Sequence, residues 1–315
     1  MGNMFETLSL DGPGIILEFR DPEEYIRGTL QIKERDEISV SFGDPWNNGS
    51  VNKSEDFTVL TCKPSGKGLV KLSCLAKPVY KMKIMASKAK IWQKQSVEAV
   101  LRDNANGASV DCGGRRFAIA EDYHLLPGTR PSHLLRQFAE EHGAHIWYNR
   151  GTLHMKKFAD MWAALPKAVY HWGTFSEPNH IFKYKVPSEQ IRAEEKNART
   201  FTGWDEVKDR ITLPLNLPFL KKAKSKPVKT TSFVNPYILG NEVVGKKTVI
   251  DFLGIGRMSI VPGDVLALKW HTGQPGNPID EGLPRRVVVD TISHWYSAQK
   301  YYIRVKGVVA LEPSE

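Results

Sequence analysis

A chain of 315 residues that is 41% hydrophobic and 25% charged has ordinary globular usage and length for two or three cores, which excludes wholesale disorder and a low-complexity filament. Lys and Arg number 44 against 35 Asp and Glu, a balance of +9 that suits an anionic partner without choosing between nucleic acid, an anionic membrane and an acidic protein surface. No apolar run approaches the roughly 18 residues that span a bilayer, and MGNMFETLSLDGPG lacks a basic region followed by an apolar stretch, so stable membrane insertion and a secretory leader are not expected. Cys62, Cys74 and Cys112 are too few and too widely spaced for a disulfide framework or a Cys-rich zinc site, and read as reduced, mostly buried thiols.

In chain order, the segment to about Ala86 alternates apolar and polar residues in short runs, as in Gly14–Phe19, Glu37–Phe42 and Phe57–Thr61. Such runs predict half-buried antiparallel strands. Asp44-Pro45-Trp46-Asn47-Asn48-Gly49-Ser50 is a dense turn cluster. Beyond Lys90 the pattern changes. Ser96 can cap a helix carrying Val97, Val100 and Leu101 on one face, ended by Asn104 to Gly107. Pro131 opens a stronger helix with Leu134, Leu135, Phe138 and Ala139 as its apolar stripe and Gly143 as its stop; His133, Arg136, Gln137, Glu140 and Glu141 form its wet face. Ala144–Tyr148 and Thr152–Phe158 flank Asn149-Arg150-Gly151, a hairpin signal. From about Lys167 the strand patterns return, in Thr248–Phe252, Val265–Leu268, Arg286–Val289 and Tyr301–Val305. The expected fold is mainly β with a small α+β domain: two β-barrel-like domains, at 1–88 and 164–315, flank a helix-and-hairpin domain at 89–163. A basic insertion lies near 190–235 and includes Lys221, Lys222, Lys224 and Lys226.

Three segments carry a resemblance. Ile91-Trp92-Gln93-Lys94-Gln95-Ser96-Val97-Glu98-Ala99-Val100-Leu101 reads as a strand and turn leading into a Ser-Val-x-x-apolar helix. Pro131 to Ala144 carries Arg-x-x-Ala-Glu-Glu-x-Gly before an aromatic strand. Ile260-Val261-Pro262-Gly263-Asp264-Val265-Leu266 is a Pro-Gly-Asp strand entry, followed by Val287–His294 and Tyr301–Val305. In this order, over about Ala86–Phe158 and Met258–Val309, they resemble the phage baseplate hub or tail late-control family, which includes the hub portion of type VI secretion spike proteins. Gln95 departs from the small residue common there, and no Gly-rich spike repeat follows the last strands. The resemblance implies a virion structural protein of the tail baseplate, assembled in the host cytoplasm. It implies a homotrimer of two barrels per chain that adapts a sixfold tail tube protein to a threefold spike protein carried on a separate polypeptide, amid other baseplate proteins.

Chemical signals are weak. His142, His145 and His154 could be proposed as zinc ligands, but they fit no known motif spacing, and packing or capping is the better reading. Gly254-Ile255-Gly256-Arg257 lacks the third glycine and helix of a phosphate cradle and reads as a turn. Glu140-Glu141 and Glu194-Glu195 read as solvated charge rather than as the separated carboxylates of a glycosidase. No Gly-x-Ser-x-Gly elbow or activated Cys motif is present, so no catalytic residue, metal or cofactor is expected. Trp92, Trp147, Trp270 and Trp295 fall on strands, where rings fill cores or subunit interfaces. The lysine run suits a loop against an acidic neighbouring subunit. The alternative, a basic nucleic-acid-binding protein of barrel modules, draws on the same lysines but lacks interleaved aromatic residues.

Overall fold

The computed structural model describes residues 2–44, 53–114, 117, 122–174, 177–187, 246–273, 276, 278–297 and 300–310, and the backbone of 200–203, 211–212 and 228–230. It opens with β1 (Gly2–Thr7), β2 (Gly14–Arg20), a π-helical turn (Tyr25–Thr29), β3 (Glu37–Phe42), β4 (Lys53–Gly66) and β5 (Leu69–Ala76). These are the period-two segments: in β5 Val70, Leu72 and Cys74 face inward while Lys71 is exposed. Cys74 is buried, and Cys62 and Cys112 are half-buried; all three are free thiols.

α1 (Lys77–Lys83) follows, where the strand pattern had been extended to Ala86. Pro78 in its first turn presets the helical φ, and Val79 and Met82, three apart, anchor it to the core. The middle unit comprises β6 (Lys90–Trp92), α2 (Val97–Asn104), β7 (Ser109–Asp111), β8 (Tyr123–Leu125), α3 (Pro131–Glu141), β9 (Ala144–Asn149), β10 (Thr152–Lys157) and α4 (Phe158–Ala163). The Ser96 hydroxyl accepts from the Ala99 N–H at 3.2 Å, capping α2 as anticipated. α3 buries Leu135, Phe138 and Ala139. β9 and β10 pair with Asn149 opposite Thr152, which leaves Arg150 (φ 47°) and Gly151 (φ 86°) as a two-residue turn with both φ values positive.

The remainder holds β11 (Ala168–Trp172), β12 (Ile181–Lys185), β13 (Thr200–Gly203), β14 (Ile211–Thr212), β15 (Val228–Thr230), β16 (Lys246–Ile255), β17 (Val265–Trp270), β18 (Arg286–Ser297) and β19 (Lys300–Ala310). The fold is mainly β, with large antiparallel sheets around the small α+β unit. Eleven strands make one sheet along the path β12-β16-β19-β18-β1-β2-β5-β4-β3, with β17 on β18 and β11 parallel to β17. The two β-rich regions are therefore joined through β1, which pairs antiparallel with β18 from Asn3–Trp295 to Thr7–Thr291. Neither ladder closes continuously among the described residues. The C-terminal path β11-β17-β18-β19-β16-β12 meets its own end only at the bridge between His171 and His180, where the His171 N–H donates to Asn179 O at 2.9 Å. The N-terminal path stops at β3, which pairs with β4 alone.

Close packing in the C-terminal half depends on Gly307. Its neighbours Ile250 and Val289 each sit beside a register shift, and a Cβ at 307 would lie 2.7 Å from the Val287 side chain and 2.8 Å from that of Ile250.

Candidate functional site at the junction of the three regions

The hairpin turn aims Arg150 out of the α+β unit and into the joint between the β-rich regions. Its Nε donates to Glu6 Oε1 and its Nη2 to Glu6 Oε2, both at 2.9 Å, and its Nη1 donates to Met258 O at 2.7 Å. Glu6 belongs to β1. Its Oε2 also lies 3.0 Å from His294 Nε2 on β18, and His294 Nδ1 lies 2.7 Å from the Tyr301 hydroxyl on β19. One carboxylate thus ties the first strand, the middle hairpin and the last two strands.

Glu6 is fully buried, His294 is 4% exposed and the Arg150 side chain 11%. Burial pushes the Glu6 carboxyl up, and His294 and Arg150 more than offset this, holding it below the usual carboxylate range. A buried ion pair survives only with such satisfied geometry, here a two-pronged guanidinium contact plus an imidazole. Glu6, His294 and Tyr301 thus run as one hydrogen-bonded chain across β1, β18 and β19, and His294 and Tyr301 also line a cleft of ≈ 350 Å³.

Beside the clamp stands Glu55 of β4, whose two carboxylate oxygens are buried without a hydrogen-bond partner among the described residues. Burial pushes its carboxyl up to about 7; the facing Tyr148 hydroxyl, Arg150 and the Gly151 amide oppose the shift and Glu6 adds to it. The group lies under a cleft of ≈ 470 Å³ whose lining includes Lys77, Lys81, Asn106, Tyr148 and Arg150.

The Pro262-Gly263-Asp264 entry packs against the same hairpin. Gly263 has φ 89°, and a Cβ there would meet the Trp147 ring at 2.9 Å. Asp264 closes the turn by accepting from the Val261 N–H at 3.0 Å.

The histidines of the middle unit are kept apart by the pairing. His145 stands opposite Lys156 and His154 opposite Trp147. His142 is buried against Phe117 and Phe138, its pKa lowered by burial to about 4, while His154 stacks on Trp147 and lies 3.0 Å from Asp111. Among the described residues no cluster of three His, Cys, Asp or Glu side chains could hold a metal. Glu141 corrects the reading of solvated charge: it is 4% exposed and accepts from the Tyr123 hydroxyl at 2.6 Å and Gln137 Nε2 at 2.9 Å, because α3 turns its last residue back onto β8. Glu194-Glu195 and the basic residues Lys221, Lys222, Lys224 and Lys226 lie outside the described residues. Gly254 and Gly256 serve packing: Cβ atoms there would lie 3.1 Å from the Tyr170 ring and 2.3 Å from the Tyr301 ring. Trp92, Trp147 and Trp270 are buried, whereas Trp295 is half-exposed and stacks on Tyr302.

Sequence reasoning missed Glu6, Arg150 and His294. The signal was parity: Glu6 falls between the inward-facing Met4 and Leu8, and His294 shares the inward face of β18 with Ile292.

No protein-family model matches the chain, and no curated protein matches it in sequence. Solved structures do match over nearly its whole length. A tail protein from Neisseria meningitidis MC58 superposes with a TM-score of 0.59 at 11% identity, covering 98% of this chain and 91% of its own. The fold is that of phage tail proteins. A 43 kDa tail protein of prophage MuSo2 from Shewanella oneidensis shares it with a TM-score of 0.57 at 11% identity, covering 98% of this chain and 92% of that one. The tail-protein fold extends to an E. coli component of the type VI secretion system, described as structurally similar to the T4 bacteriophage tail proteins gp27 and gp5. That protein gives a TM-score of 0.57 at 7% identity, over 100% of this chain and 73% of its own.

Proposed function

We propose that this chain is a structural hub subunit of a contractile tail baseplate, forming a trimeric ring that adapts a sixfold tail tube to a threefold spike. The observation that carries the reading is the buried Glu6–Arg150–His294 clamp, which makes one block of two β-rich regions and a helical unit in a chain with the tail-protein fold. A part that transmits load between a tube and a spike must hold its regions in one register, and a buried two-pronged ion pair fixes a single geometry between them. The division into 1–88, 89–163 and 164–315 belongs to the same reading: three copies of a chain with two β-rich regions would present six such regions to a sixfold partner. The non-enzymatic role and the position in the virion are part of the proposal, as is contact of Lys221, Lys222, Lys224 and Lys226 with an acidic neighbour. Light scattering on the purified chain, alone and mixed with a tail tube protein and a spike protein, tests the reading. A particle of three chains that binds both is expected. A monomer at every concentration that ignores both overturns it.

A further inference from the structure

We infer that the outer face of the β6–β8 ribbon is a docking surface for a protein whose contact region is apolar at its centre and acidic at its rim. Residues 57 to 97 contain nine lysines and no acidic residue. The fold sets part of that charge around apolar side chains that face water. In the ribbon Ile91 stands opposite His124 and Trp92 opposite Tyr123. Trp92, Tyr123 and Leu125 are buried, so strand alternation turns Ile91, His124 and Leu126 outward. The pairing continues toward α1, where the Ala86 N–H donates to Thr129 O and the Gly128 N–H to Ala86 O, both at 2.8 Å, and this sets Ile84 and Met85 at the end of the same ribbon. Met85, Ile91 and Leu126 are each 59% exposed and Ile84 50%. Met85, Ile91 and Leu126, exposed along the ribbon and its extension toward α1, differ from the singly scattered exposure of an ordinary surface.

Charge selects the occupant. Lys83 and Arg136 are neutralised by Asp11, and Lys90 donates to the Asp103 carbonyl at the end of α2. The side chains of Lys88, Lys94 and Arg130 are exposed and form no ion pair among the described residues, although the Lys94 N–H donates to Asp122 Oδ1 at 3.2 Å. Unneutralised cations around an aliphatic centre complement carboxylates around an aliphatic centre, the usual division of a protein interface into core and rim. The outward-facing side chains offer bases no ring beyond His124, which argues against a single-stranded nucleic acid. The surface is independent of the tail reading, because it follows from exposure and charge alone.

Anisotropy of labelled probes against the full chain tests it, with an alternating Glu–Leu peptide, a Glu–Ser peptide of equal length and charge, a single-stranded oligonucleotide, and vesicles of phosphatidylglycerol and phosphatidylcholine. The Glu–Leu peptide is expected to bind tightest. Ile91→Ser with Leu126→Ser, or Lys88→Ser with Arg130→Ser, should weaken it by at least about tenfold. Lys63→Ser with Lys71→Ser, which removes the same charge elsewhere, should leave it unchanged. Met85→Glu tests the same face if the Ile91/Leu126 variant does not fold. Equal binding of the Glu–Ser peptide, stronger binding of the oligonucleotide or vesicles, or an equal loss in the Lys63/Lys71 variant overturns the inference.

Discussion

Arg150 and Glu55 show how much one side chain decides at the joint. Replacing Arg150 by Met leaves Glu6 buried without its guanidinium, and a loss of roughly 3 to 5 kcal/mol of stability is expected in denaturant titrations. Adding Glu6→Gln should recover part of that loss, since the stranded charge is then gone. Glu55 acts in the opposite sense. Its folded pKa of about 7 stands above the ordinary 4.5, so the proton it holds favours the folded state. That stability is fully present below about pH 4.5 and is lost as pH rises through about 7, on the order of 3 kcal/mol in all. His142, its pKa lowered by burial to about 4, acts in the opposite direction over much of the same window, so the readout is the difference in melting temperature between Glu55→Gln and the native chain, which should shift in favour of the variant as pH rises from about 4.5 to above 7. A difference between the two chains that stays constant over this window would show that Glu55 is not held protonated. These residues were hard to read in advance because nothing local marks a buried charge: Glu55 lies in the run Ser54-Glu55-Asp56, which looks like solvated acid.

Elements were legible in proportion to their length. α3, with eleven residues, and the long strands β16, β18 and β19 carry several periods of their pattern, and capping residues such as Ser96 announce their ends. α1 and α4, with seven and six residues, are too short for a 3.6-residue period to be separated from a strand's. β1 was missed for another reason: Met4, Glu6 and Leu8 alternate correctly only if a glutamate is accepted among inward positions. Two substitutions test this scale. Ser96→Ala removes the acceptor for the Ala99 N–H and should cost about 1 kcal/mol in chemical denaturation. Gly307→Ala puts a methyl within 3 Å of Val287 and Ile250 in a packed layer and should cost roughly 1 to 3 kcal/mol.

For the whole molecule, the mainly β fold class followed from periodicity, but the single sheet running from the first strand to the last did not. Pairing between residues near 3 and near 295 leaves no trace in a local window, and only a register constraint reveals it. The consequence is cooperative: deleting Gly2–Thr7 should remove the Glu6 clamp and the β1–β18 ladder together, so that calorimetry shows the single transition of the native chain replaced by two broader ones at lower temperature. Retention of one sharp transition would mean that the regions are held by other contacts.

The β1–β18 ladder also sets a timetable. A ribosome working at about 5 to 20 residues per second releases the first strand roughly 15 to 60 seconds before the residues that will lie along its outer edge. Until then that strand has only β2 beside it, and Glu6, although Arg150 emerges about halfway through, lacks His294. Removing a nascent-chain chaperone that shields this exposed margin should therefore lower the yield of correctly woven protein.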